Sequence, residues 1–165
     1  MSAEAVVHAL TERGQWLACA ESLTGGLLAA ELTAAPGASA VFAAGIVAYT
    51  PAMKSALVGV DPTVIAEAGV VSGEVAGALA SGSRITAQAD WGAGTTGAAG
   101  PQSHGGQPPG TVWIAVAEPG GAVTTRRLTL PGGREEVRRR TVAAVLELLV
   151  ERLGLGRRKN VAPAE

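Results

Sequence analysis

Ser22 stands in the run ESLTGG, directly after the short apolar stretch 15–20 (QWLACA) and before the helix-forming LLAAELTAA. An apolar run, a glycine-containing break and a helical stretch read as strand, tight turn and helix. A turn at the carboxyl end of a strand places backbone N–H groups and a helix's positive end beside the hydroxyl of Ser22. Such a hydroxyl can attack an acyl carbon, with the N–H groups of Thr24, Gly25 or Gly26 holding the negative charge that develops. Glycine lets the backbone approach a substrate closely. The same residues equally suit an ordinary helix start, with Ser22 or Thr24 as N-cap and the two glycines as turn residues.

A serine nucleophile needs a base, and the candidates are few. His8 belongs to the opening helical segment and His104 to the glycine-rich stretch GAAGPQSHGGQPPG. The chain has two lysines, Lys54 and Lys159, against eleven arginines. Lys54 lies in an apolar neighbourhood, FAAGIVAYTPAMKSALVGV, whereas Lys159 is in the polar tail. Arginine stays protonated, but a desolvated lysine can have its pKa lowered toward neutrality, so a Ser22–Lys54 pair is chemically reasonable. The bland alternative is a lysine that snorkels from a short helix to water. Tyr49 is the only tyrosine and precedes Lys54 by five positions; its hydroxyl suits a proton relay or a wet core edge. Residues 97–101 (GAAGP) can form a backbone nest for phosphate or carboxylate, or a plain strand-to-loop transition. Arg126, Arg127, Arg134, Arg138, Arg139 and Arg140 form a basic cluster in which one or two can clamp a phosphate while the others meet water.

The elements that must position these groups follow from periodicity and breakers. Val6, Val7 and Leu10 share a face of an opening helix that Gly14 ends. After the ESLTGG turn and its helix, a second strand (GIVAY) leads through Thr50-Pro51 into a short helix, since proline suits the first helical position. Asp61-Pro62 starts another, and Ser72 is placed to cap a longer helix over about 73–87. A small-residue strand spans about 90–96, residues 97–110 form a loop, and TVWIAVAEPGGAVTTRRLTL reads as an antiparallel hairpin. A last helix, about 134–153, carries Val137, Val142, Val145, Leu149 and Leu153 along one stripe. This order predicts a mixed sheet between helix layers.

The whole-chain figures agree. At 165 residues with 47% hydrophobic content, one domain over 1–165 is expected, with about 156–165 a polar tail. Aromatic residues make up 3% while glycines number 23, which requires thin, closely approaching layers of Ala, Val and Leu. A formal net charge of -1 gives no positive field for a phosphate backbone, which argues against nucleic acid as the primary ligand. The single cysteine, Cys19, excludes intramolecular disulfides and multi-thiolate metal sites. Neither a signal peptide nor a membrane-length apolar run is present, so a cytoplasmic protein is expected. No metal-ligand spacing occurs, and a Ser22–Lys54 pair would draw nucleophile, base and oxyanion donors from the chain itself, so no metal or organic cofactor is expected.

Together AESLTGG, GIVAYTPAMKSALVGV, TTGAAGP, GTVWIAVA and GGREEVRRRTVAAVLELL, in this order along nearly the whole chain, strongly resemble the CinA C-terminal domain family. The resemblance implies an α/β fold of three α/β/α layers with a mixed, mostly parallel five-stranded sheet, commonly in homo-oligomers. The larger CinA proteins carry an extra N-terminal domain resembling molybdopterin-binding proteins, for which 165 residues leave no room. Characterised family members are nicotinamide-mononucleotide (NMN) amidohydrolases. The serine of the family's E-S-x-T-G-G motif falls on Ser22, and the tyrosine and lysine of its Y-x-x-x-x-K segment fall on Tyr49 and Lys54. By this resemblance Ser22 attacks the carboxamide carbon, Lys54 with Tyr49 manages protons, and turn N–H groups at Thr24, Gly25 and Gly26 hold the oxyanion. Thr96, Gly97, Gly100 and Arg138 are the remaining expected substrate-binding positions. The chain departs from the family's usual pattern at Leu23, at Pro51-Ala52, at Thr96-Gly97 and in the loop holding His104. The alternative is a non-catalytic nucleotide- or partner-binding module that keeps the fold, or an amidase acting on another carboxamide.

Overall fold

The computed structural model describes residues 3–156. The polar tail expected from about residue 156, with Lys159, otherwise lies outside the described residues. The elements follow in the order α1 (Ala3–Arg13), β1 (Leu17–Glu21), α2 (Leu27–Ala34), a 3-10 turn (Ala38–Ala40), β2 (Phe42–Val47), α3 (Pro51–Val58), α4 (Pro62–Ala68), α5 (Gly73–Thr86), β3 (Trp91–Gly97), β4 (Thr111–Ala117), β5 (Val123–Thr129) and α6 (Arg134–Arg152). Only the 3-10 turn is absent from the sequence reading. Ser72 caps α5 as expected, its hydroxyl accepting from the Val75 N–H at 3.2 Å. Ser72→Ala leaves that N–H unpaired and should cost about 1 kcal/mol. A urea titration checks this as a lower midpoint at unchanged slope.

The sheet order is β2-β1-β3-β4-β5, with β1 parallel to both β2 and β3, and β4 antiparallel to both β3 and β5. Four of the five strands therefore run in one direction and β4 alone is reversed. Helices α1, α2 and α6 pack together on one face, and α3, α4 and α5 on the other. The aromatic-poor composition has its consequence here: β3 presents Gly92 and Gly94 to α5 at backbone-contact distance. A Cβ on Gly94 would lie 2.4 Å from the Ala76 carbonyl oxygen, and one on Gly92 2.0 Å from that of Ala80. Only residues without side chains allow the layers to meet this closely.

The chain leaves β1 through α2 on one face to reach β2. It then returns through α3, α4 and α5 on the other face to β3, on the opposite side of β1. The strand order reverses at β1, and such a switch point opens a crevice beyond the carboxyl ends of the strands. Ser22 follows the last residue of β1 at that place.

Candidate functional site

Strand alternation assigns the last residues of β1 to opposite faces. Leu17 and Cys19 join the core under α1, α2 and α6, and Ala20 joins that under α3 and α5. Glu21 continues the Cys19 side and reaches the start of α2. Ser22 turns toward α3, where Lys54 waits.

Lys54 is brought there by the start of α3. Thr50 is the N-cap, its hydroxyl accepting from the Met53 N–H at 3.3 Å, and Pro51 occupies the first helical position. The face that α3 buries consists of Lys54 and Val58. Lys54 is fully buried, which excludes snorkelling, and its Nζ lies 2.9 Å from Ser22 Oγ. The same Nζ donates to the carbonyl oxygens of Ala48 (2.9 Å) and Tyr49 (3.2 Å). Burial pulls the amine from its ordinary 10.5 down to about 8. Once neutral, the amine keeps its two N–H groups on the two carbonyls, and its lone pair is left to accept the Ser22 O–H.

Ser22 and Leu23 line a cavity of about 330 Å³ with Tyr49, Gly97, Gly100, His104 and Arg134 among its walls. Gly97 and Gly100 thus share the cavity with Ser22. The Tyr49 side chain does not reach the amine: it is 53% exposed, its hydroxyl meets Arg134 Nη2 at 2.9 Å, and only its main-chain carbonyl touches Lys54.

Five other expected positions require correction, and each has its polar groups engaged elsewhere. The Gly25 N–H donates to the Ser22 carbonyl (3.1 Å) and the Gly26 N–H to Glu21 Oε2 (3.1 Å), so neither is free for an oxyanion. Among the described residues, the N–H groups of Leu23 and Thr24 meet no acceptor, and Leu23 is the one that lines the cavity. Thr24 is fully buried and outside the cavity lining, with its hydroxyl bonded to that of Thr95 at 2.8 Å. The Thr96 hydroxyl donates to the Val70 carbonyl at 2.7 Å and is outside the cavity lining. Arg138 sits beneath the turn rather than in the cavity. Its Nε donates to the Leu23 carbonyl (2.9 Å) and its Nη2 to that of Thr24 (3.0 Å).

The helix-start reading of Ser22 or Thr24 also fails, since the N-cap of α2 is Gly26, at φ 101°, with no side-chain cap of its own. The arginine that does reach the cavity is Arg134, one turn before Arg138, with Nη1 donating to the Gly100 carbonyl at 2.9 Å. Arg139 and Arg140 pair with Glu135 and Glu136 one turn back, and Arg126 with Glu151, as solvated surface groups. Cys19, the other nucleophilic atom nearby, is buried, which raises its thiol pKa well above the ordinary value.

The model of the CinA C-terminal domain matches residues 1–153. The chain belongs to the CinA C-terminal domain family. A CinA-like protein of Anaeromyxobacter is 49% identical over 145 residues, covering 87% of this chain and 35% of its own length. One of Frankia casuarinae is 46% identical over 144 residues, covering 87% and 33%. The CinA domain described here thus spans about a third of the length of these curated relatives. Among solved structures, the competence/damage inducible protein CihA of Agrobacterium tumefaciens superposes with TM-score 0.87 at 34% identity, covering 92% of this chain and 93% of that one. A competence-damaged protein (CinA) superfamily protein of Enterobacter cloacae does so with TM-score 0.87 at 29% identity, covering 93% of each. The α/β fold with its mixed five-stranded sheet is therefore the fold of CinA-family proteins. Among the described residues, no helix is long and apolar enough to cross a membrane.

Proposed function

We propose that this CinA domain is a serine amidohydrolase that converts NMN to nicotinate mononucleotide and ammonia. The observation that carries the reading is the buried Lys54 amine, 2.9 Å from Ser22 Oγ and held by two main-chain carbonyls. Among the described residues, its one side-chain partner is the serine that faces the cavity. In the first half-reaction the Ser22 proton passes to Lys54 as Oγ bonds to the carboxamide carbon. The N–H group of Leu23, which lines the cavity, is the donor for the resulting oxyanion. Lys54 then returns the proton to the departing nitrogen, the C–N bond breaks, and ammonia leaves an acyl ester on Ser22. In the second half-reaction Lys54 takes a proton from water, hydroxide bonds to the acyl carbon, and the ester bond to Oγ breaks. Ser22 recovers its proton from Lys54, and the carboxylic acid released gives its proton to water or ammonia to leave a carboxylate. No step draws on a group outside the chain and water.

The phosphate of NMN is assigned to Arg134. Two of its five N–H donors serve Gly100 and Tyr49, leaving three for a phosphate at the cavity wall. Tyr49 shapes this wall as the partner of Arg134. The cytoplasm, where pyridine nucleotides are salvaged, fits this reaction. A homo-oligomer is part of the same reading, supported by the exposed apolar side chains Val47, Tyr49, Met53 and Leu57 beside edge strand β2.

The test is ammonia release from NMN, nicotinamide riboside and nicotinamide. Turnover of NMN well above the other two is expected. Arg134→Ala should raise KM for NMN about 10- to 100-fold, the worth of a charge-assisted hydrogen bond, while leaving the riboside rate within about twofold. NMN that binds without ammonia release would instead support a non-catalytic nucleotide-binding module, and turnover of a different carboxamide would move the substrate assignment alone.

A further inference from the structure

Glu21 takes no part in the steps above, yet it is fully buried and immediately precedes the nucleophile. Its Oε2 accepts from the N–H groups of Gly26 (3.1 Å) and Leu28 (3.0 Å), and its Oε1 from that of Ala29 (2.9 Å). Cys19 Sγ approaches Oε1 at 3.8 Å. The first N–H groups of a helix have no partner within it, and here all are accounted for. Leu27 donates to the Thr24 carbonyl, Leu28 and Ala29 to Glu21, and Ala30 to the Gly26 carbonyl. Glu21 therefore replaces the side-chain cap that Gly26 lacks, and it does so from the strand end rather than from the helix itself.

The turn between them is held from two sides. Glu21 gathers N–H donors on one side, while Arg138 of α6 supplies donors to the carbonyls of Leu23 and Thr24 on the other. A trans peptide points its N–H and C=O in opposite directions. Fixing the Leu23 carbonyl on Arg138 therefore directs the Thr24 N–H away from α6. Fixing Gly26 on Glu21 closes the far end of the same turn.

We infer that Glu21 is a positioning residue for catalysis: it ties the end of β1 to the start of α2 so that Ser22 and the free N–H group of Leu23 are held in reacting geometry. The inference rests on Ser22 being the nucleophile, but not on NMN being the substrate. Glu21→Gln keeps the shape and turns an N–H₂ group against backbone donors. Glu21→Asp keeps the charge and falls a methylene short of α2.

The experiment measures phosphonylation of Ser22 by a fluorophosphonate probe, read by intact mass, well below each variant's unfolding temperature. Ser22 Oγ bonds to phosphorus, fluoride leaves, and the serine proton goes to Lys54. Both variants should label at least tenfold more slowly than wild type, with the pH midpoint of labelling unchanged because Lys54 is not moved. With NMN, at a temperature where each variant is fully folded, kcat should fall by a similar factor at KM within about twofold. If Glu21→Gln fails to fold, Glu21→Asp carries the comparison. Labelling within twofold of wild type alongside a lower unfolding temperature would overturn the inference and reduce Glu21 to a helix cap. Wild type that labels at Ser22 but leaves NMN intact would defeat the substrate reading and leave this inference testable by labelling. Wild type that does not label would overturn both.

Discussion

Ser22→Ala and Lys54→Met should each lower ammonia release from NMN on the order of 10³-fold or more, and the double variant should be no slower than the slower single one. The first change removes the atom that bonds to carbon. The second leaves that atom in place but with no acceptor for its proton, and a positioned base is worth about 10²–10⁴-fold. Residues that act as one unit lose nearly everything with the first deletion, so their effects do not multiply. Methionine also separates chemistry from folding. It fills nearly the volume of the lysine and removes a buried amine whose charged form is costly to desolvate. Lys54→Met should therefore unfold at a temperature no lower than wild type at neutral pH, although the carbonyls of Ala48 and Tyr49 lose a donor. Scanning calorimetry beside single-turnover kinetics reads both. A Lys54→Met variant within tenfold of wild type would show that some other group accepts the serine proton.

The Ser22–Lys54 pair was legible in the sequence as a candidate because both residues carry local signals. Ser22 ends an apolar strand before a glycine-containing break, and Lys54 is one lysine against many arginines, just inside a proline-started helix. What escaped was how main-chain donors and acceptors divide among competing partners. Spacing presents the N–H groups of Thr24, Gly25 and Gly26 as equivalent. Glu21 claims Gly26 only because strand alternation and the position of α2 bring its carboxyl group there. The arginines show the same limit. Arg134 and Arg138 are four residues apart and share one face of α6, so helical periodicity cannot rank them. The packing of α6 on the β1–α2 turn gives Arg138 two carbonyls to hold, and leaves Arg134 at the cavity wall. Tyr49 lies between β2 and the Thr50 cap, where no regular element sets its direction, and its contact with Arg134, 85 positions later, decides it. Sequence patterns thus located the elements and the candidate pair. Contacts between residues distant in the chain decided which polar groups remained free.

The pH dependence tests the burial of Lys54 independently of any substitution. Desolvation brings its amine to about 8, with no carboxylate partner to hold the proton. In the proposed mechanism the reactive form is the neutral amine, so kcat/KM should rise tenfold per pH unit below the midpoint and level off above about pH 8. The same shift couples to stability. The unfolded chain holds the lysine proton up to its ordinary value of 10.5, and the folded chain releases it near 8, so between these limits the unfolded state binds more protons. Stability then rises with pH across this window, by at most about 3 kcal/mol from this residue. Below about pH 8 both states are protonated, and folding bears the cost of a buried charge. Urea denaturation at several pH values in wild type and Lys54→Met isolates that slope, because the variant lacks the titrating group. Parallel curves for the two proteins would mean that Lys54 is solvated when charged, and the rate profile would then have to come from another group in the cavity.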